Sequence, residues 1–146
     1  IVDPSAVAAE IGAHAATQGV PLLYEPLNRY ETNLVHRVEQ ADQLLSTAGA
    51  ENVRLLADLF HMNIEEVRIA EALCRCGDRL GHVHLADSNR QAAGLGHLDY
   101  KPIAEALATI NYDGYLSAEV FPLPTPQEAA KQTMRAIRTF FAAAGD

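Results

Sequence analysis

Cations are scarce in this chain. Its 146 residues include 11 lysines and arginines against 19 aspartates and glutamates, for a net charge of −8. Nucleic-acid and anionic-membrane surfaces are built mainly from Lys and Arg, so both are disfavoured as partners. Cysteine is scarce too: there are only Cys74 and Cys76. They lie in a stretch of helical character, where residues two apart point about 200° away from each other. They can neither form a ready disulfide nor share one metal ion. The expectation is two reduced thiols, buried or half-buried, in a cytoplasmic protein. No apolar run approaches the length of a membrane span, and the first residues do not read as a signal peptide. No stretch reads as a linker, a low-complexity segment or a second domain. What is present is an ordinary globular composition, 49% hydrophobic and 21% charged. It is long enough for a single domain with its own core.

Helix and strand signals alternate along the chain. Asp3-Pro4 predicts a helix start, with Asp as cap and Pro in the first turn, running to about Thr17 with Gly19 beyond. Pro21 to Glu25 reads as a buried strand closed by Pro26. Asn33 is the predicted cap of a second helix, whose stripe is Leu34, Val38, Ala41 and Leu45 and whose end is Gly49. Val53 to Asp58 is the second strand. Asn63 and Glu66 form a capping pair for a helix from Ile64 to Cys76, stopped by Gly77. The third strand is Gly81 to Ala86, followed by a polar loop from Asp87 to Leu98. Pro102 opens a helix striped by Ile103, Leu107 and Ile110, and Tyr115 to Val120 is the fourth strand. Thr125-Pro126-Gln127-Glu128 starts a last helix, expected to reach about Ala144. One helix followed by four strand-helix units implies a parallel sheet with right-handed crossovers. In such folds the working residues sit at the carboxyl ends of the strands.

Glu25, Asp58, His84 and Glu119 stand at or near the ends of the four predicted strands. Any one of them alone reads as a solvated strand-end residue or a helix cap. Four in succession at matching positions read better as a site. Three carboxylates and an imidazole crowded together would repel and desolvate one another, and a divalent cation resolves that conflict. The oxygen-rich set favours Mn²⁺, Mg²⁺ or Co²⁺ over a thiolate-type zinc site, with Zn²⁺ still an option. Alternation places His82 and His84 on one face of the third strand and Val83 and Leu85 on the other. Arg90 lies in a loop able to turn back over the strand's end. His61 reads either as a group that binds a polar ligand or as a surface-loop histidine. The glycines of Gln91 to His97 fit a plain turn as well as a contact with substrate.

Three stretches together resemble the xylose-isomerase-like TIM-barrel superfamily: Glu25 to Asn33, Asp58 to Glu66, and Gly81-His82-Val83-His84 continuing to Ser88-Asn89-Arg90. Within it they are most similar to the D-tagatose/D-psicose 3-epimerases and related sugar isomerases. The resemblance covers about residues 19 to 122. It implies that Glu25, Asp58, His84 and Glu119 hold a divalent metal. It implies too that Glu25 and Glu119 are the acid/base pair and that Glu31, His61 and Arg90 bind or support substrate. The implied reaction is C3 epimerisation of a ketose, through proton removal on one face and return on the other. A complete (β/α)₈ barrel needs about 250 residues. The expected fold is therefore α/β, a single partial TIM-barrel domain over residues 1–146 corresponding to the carboxyl-terminal half. Its open strand edges invite pairing with a second copy or with a missing amino-terminal half. Aldose–ketose, ketogluconate or hydroxypyruvate-type isomerisation stays open, as does an inactive truncated barrel that dimerises. An abasic-site endonuclease would want more rim histidines and a basic face, against which the net charge speaks.

Overall fold

The structure, a computed structural model, describes residues 3–141. Helix α1 spans Pro4–Thr17, and the Asp3 carboxylate accepts from the Ser5 N–H at its start. Then follow β1 (Leu22–Tyr24), α2 (Val38–Ala48), β2 (Val53–Asp58), α3 (Leu59–Glu65), α4 (Ile69–Cys76) and β3 (Leu80–His84). The chain continues with α5 (Tyr100–Thr109), β4 (Tyr115–Ser117) and α6 (Pro126–Phe140). The sheet has four strands in the order β1-β2-β3-β4, every neighbouring pair parallel. This is the parallel sheet that alternation implied, in the partial barrel that the resemblance implied. No described helix is long and apolar enough to cross a membrane.

The helices cover one face of the sheet. Leu55, Ala57, Val83 and Leu85 point into that layer with no exposed surface. They meet Ala41 and Leu45 of α2, Ala72 and Leu73 of α4, and Ile103 and Leu107 of α5. Full burial of each Val, Leu or Ile among them stabilises the fold by roughly 1.5–3 kcal/mol. The opposite face carries Leu23, Arg54, His82, His84 and Tyr115. Its lower rim is open: Leu23 is 46% and Tyr115 82% exposed. An apolar groove of about 380 Å³ runs between β4 and α6, lined by Leu116, Val120, Ala129, Met134 and Ile137 among others. Thr133 Oγ1 is buried in that groove without a hydrogen-bond partner.

Several boundaries depart from expectation. The first strand is shorter than Pro21 to Glu25 and half-exposed, because it is an edge with no strand beyond it among the described residues. The second helix begins at Val38, not after Asn33, and Leu34 is 60% exposed. Its start is capped from within and from a distance: its own Gln40 Oε1 accepts from the N–H groups of His36 and Arg37, and Glu66 Oε1 accepts from Val38 N. With Glu66 so engaged, the expected helix Ile64 to Cys76 breaks in two at Glu66–Arg68, and Asn63 lies inside α3. Asp58 is the real cap of α3, accepting from Phe60 N at 2.8 Å. Helix α5 begins at Tyr100, not Pro102, with Asp99 as its cap. The fourth strand stops at Ser117, and Thr125 caps α6 as expected. The predicted end of that helix near Ala144 lies outside the described residues. Cys76 is buried, whereas Cys74 is exposed rather than half-buried, and both are free thiols.

Between β2 and β3 the register slips. Leu55 pairs with Leu80 and Leu56 with His82, so Gly81 has no partner and forms a bulge. A Cβ on Gly81 would stand 2.8 Å from both Arg54 Cβ and Leu23 Cδ2, so only glycine fits. Beyond the bulge, His82 and His84 face the open side while Val83 faces the core.

Candidate metal centre at the strand ends

Adjacent parallel strands lie about 4.8 Å apart. The register puts Asp58 of β2 directly beside His84 of β3, and His84 beside Ser117 of β4. Glu25 follows the last residue of β1, and Glu119 lies two residues beyond Ser117. The four side chains converge, each offering one ligand atom within 4.8 Å of the others. His84 Nδ1 is the hub: it lies 3.2 Å from Asp58 Oδ2, 3.8 Å from Glu25 Oε1 and 4.0 Å from Glu119 Oε2.

The electrostatics are those of a site needing positive charge. Burial, and next the negative charge of Asp58, push the Glu25 carboxyl above its ordinary range. The hydrogen bond to Asp58 draws the His84 imidazole upward. Glu25 Oε1 is buried and has no hydrogen-bond partner. An orphaned carboxylate oxygen facing an aspartate, a second glutamate and an imidazole is costly unless a cation sits among them. Three hard oxygen donors and one imidazole suit Mn²⁺, Mg²⁺ or Co²⁺, and the donor set therefore fits a divalent ion.

The three remaining predicted residues join the same rim. His61 is 1% exposed, so it is a buried group and not a surface-loop histidine. The backbone N–H of Asn28 donates to His61 Nδ1 at 3.3 Å, and Asn28 Nδ2 lies 2.8 Å from the same atom. With Nδ1 accepting, Nε2 carries the proton. Nε2 is buried, unpartnered and 3.9 Å from Glu25 Oε1, aimed into the site. Burial lowers the His61 pKa, so the ring is a neutral N–H donor. Glu31 Oε1 accepts from Asn28 Nδ2 at 3.0 Å and from Arg90 Nη1 at 3.1 Å. Arg90 also donates to Glu119 Oε2 at 3.1 Å, and its guanidinium lies 4.9 Å from the centroid of the Phe60 ring. Arg90 holds a positive φ of 58°, uncommon for a side chain of its size and typical of strained positions at functional sites.

Sequence reasoning missed the supports. Asn28, 1% exposed, links Glu31 to His61 and was visible only as part of a longer motif. Phe60 carried no polar signal. Asp87, with no exposed surface, accepts from the N–H groups of Ser88, Gly94 and Leu98. Burial opposes its ionisation, but those N–H groups together hold its pKa below the ordinary value. A Cβ at Gly96 would collide with that carboxylate. The Gly94 and Gly96 loop thus closes around the Asp87 carboxylate. Arg29 grips Glu65 through two bonds of 2.9 and 2.8 Å and a backbone N–H, which draws Glu65 down to a pKa of about 2.

The family model of the xylose isomerase-like TIM barrel matches residues 5–140. The chain is 41% identical to the D-psicose 3-epimerase of Enterocloster bolteae over 112 residues, 77% of this chain and 37% of that protein. It is 36% identical to the 3-dehydro-D-guloside 4-epimerase of Escherichia coli over 126 residues, 86% of this chain and 48% of that protein. A solved structure of L-ribulose 3-epimerase superposes with a TM-score of 0.90 at 29% identity, over 96% of this chain and 53% of that one. The chain spans about half or less of the length of these relatives.

Proposed function

Because the chain belongs to the xylose isomerase-like TIM-barrel family, we propose that it is the carboxyl-terminal half barrel of a divalent-metal-dependent sugar epimerase. The observation that carries this reading is the convergence of Glu25, Asp58, His84 and Glu119 within 4.8 Å. These four would hold Mn²⁺, Mg²⁺ or Co²⁺. Such an ion would supply Lewis-acid polarisation of a keto sugar, making the hydroxyl-bearing carbon beside the ketone more acidic.

The chain's own residues then handle the proton. Glu25 and Glu119 come from the two outer strands of the four and flank Asp58 and His84. One carboxylate takes the proton from the carbon beside the ketone, and the other returns a proton from the opposite face, inverting that carbon. The neutral His61 Nε2–H and the Arg90 guanidinium would donate to the oxygens on which charge develops. Glu31 and Asn28 hold both donors in place.

Two relatives narrow the substrate class. One is named for C3 of D-psicose and the other for C4 of a 3-dehydro sugar. Both names place the inverted carbon next to a ketone. The proposed substrate is a free keto sugar with a hydroxyl on the adjacent carbon, most simply a ketose inverted at C3. Further βα units would close the barrel against the open edges of β1 and β4 and the groove beside α6. Free thiols at Cys74 and Cys76 fit a reducing cytoplasm.

The test is a screen of free ketoses with Mn²⁺, Co²⁺ and Mg²⁺ on the intact protein, alongside Glu25→Gln and Glu119→Gln. Turnover that requires metal and vanishes in each variant is expected. Full activity in either variant removes the two-carboxylate scheme.

A further inference from the structure

One polar pair on the site face has no part in the proposed proton transfers. His82 Nε2 and Ser117 Oγ share a hydrogen bond of 2.8 Å. His82 stands two residues before His84, and Ser117 stands two residues before Glu119. The ladder pairs His82 with Tyr115 and His84 with Ser117. The side-chain link therefore runs diagonally, from the lower row of β3 to the upper row of β4. The His82 ring also meets the His84 ring edge to face, with centroids 5.2 Å apart and planes at 90°.

The place of this link matters because β4 is weakly held. Its ladder has three residues, and its far side meets no strand among the described residues. Glu119 extends past the ladder with its side chain 58% exposed, touching only Arg90 and His84 among the contacts described. A position needing bulk alone would be served by an apolar ring. A histidine that both pins the neighbouring strand and abuts a ligand ring does more.

We propose that His82 and Ser117 are a positioning pair that sets the His84 ring and the end of β4 in the one register where His84 and Glu119 reach the same cation. The inference rests on the metal reading above. Partners that orient metal ligands typically contribute 10- to 100-fold to metal affinity.

The experiment is Mn²⁺ affinity, by titration calorimetry and by the electron paramagnetic resonance of the bound ion, with no substrate present. The proteins compared are the unaltered protein, His82→Phe, Ser117→Ala, the double variant and Ser117→Thr. Each disrupting single variant is expected to weaken Mn²⁺ about tenfold. The double variant is expected to be no weaker than the worse single, because both remove the same link. Ser117→Thr, which keeps the hydroxyl, is expected to bind as the unaltered protein does. Ser117→Ala removes only one oxygen, so it preserves the test should His82→Phe fail to fold. Affinities within twofold of the unaltered value, with or without a lower melting temperature, would make the pair merely structural and overturn the proposal. Independent, multiplying losses in the double variant would overturn it too. Absence of Mn²⁺ binding by the unaltered protein would instead bring down the metal reading itself.

Discussion

Glu25→Gln should stabilise the metal-free protein and destabilise the metal-loaded one. The change keeps the side chain's shape and removes one charge. Glu25 Oε1 has no hydrogen-bond partner, so the amide forfeits no bond there. Its main electrostatic neighbour is Asp58, whose side chain is fully buried and whose ligand atom lies within 4.8 Å. At an effective dielectric constant of 20, two like charges at that distance repel by about 3.5 kcal/mol. The His84 proton, 3.8 Å from Glu25, offsets part of this. A net gain of about 1–2 kcal/mol is reasonable, which for a domain of this size raises the melting temperature by roughly 3–8 °C. The pH dependence has a definite sign. The folded pKa of Glu25 is raised, so its penalty is absent below the unfolded value and grows as pH rises through the folded one. The gain from the substitution is therefore larger at pH 8 than at pH 4. With metal the order inverts: Mn²⁺ at 100 times its dissociation constant stabilises the unaltered protein by about 2.7 kcal/mol, and the variant by far less. Differential scanning fluorimetry in EDTA and in MnCl₂ at both pH values reads all four states. Equal loss of stability with and without metal would show that Glu25 acts as a structural acceptor and would refute the reasoning.

Three further outcomes are expected. Long-range ¹H–¹⁵N spectra should show His61 neutral at pH 7 with its proton on Nε2; a proton on Nδ1 would contradict the contact with the Asn28 N–H. Phe60→Leu leaves Arg90 without the ring beneath it, which should lower kcat/KM on the active ketose about two- to fivefold, the value of a partly exposed cation–π contact. An unchanged value would make the stacking incidental. Glu65, held at about 2 by Arg29, contributes stability that is complete above its unfolded pKa near 4.5 and lost as pH falls toward 2. Glu65→Gln should therefore flatten urea-unfolding midpoints between pH 5 and pH 2.5, and an unaltered acid slope would assign that slope elsewhere.

The sequence by itself carried the strand-helix alternation, the parallel sheet and the four strand-end residues that the fold brings together. Each of these rests on short-range regularity. Val83 and Leu85 alternate with His82 and His84, Thr125-Pro126 starts a helix, and one chemistry-bearing residue recurs per unit. The tertiary structure alone decided where local signals meet distant partners. Glu66 looked like a helix cap for its own segment, yet it caps Val38, 28 residues away. That bond goes with a later start of α2 and a break in the helix expected from Ile64 to Cys76. His61 could not be separated from a surface histidine until Asn28, from another loop, buried its Nδ1 and turned Nε2 toward Glu25. The Gly94 and Gly96 turn and the bulge at Gly81 have the same origin, since backbone packs there against a carboxylate or a neighbouring strand. Periodicity reports which face of an element is apolar. Which polar atom finds which depends on chain segments brought together only when the sheet closes over its core.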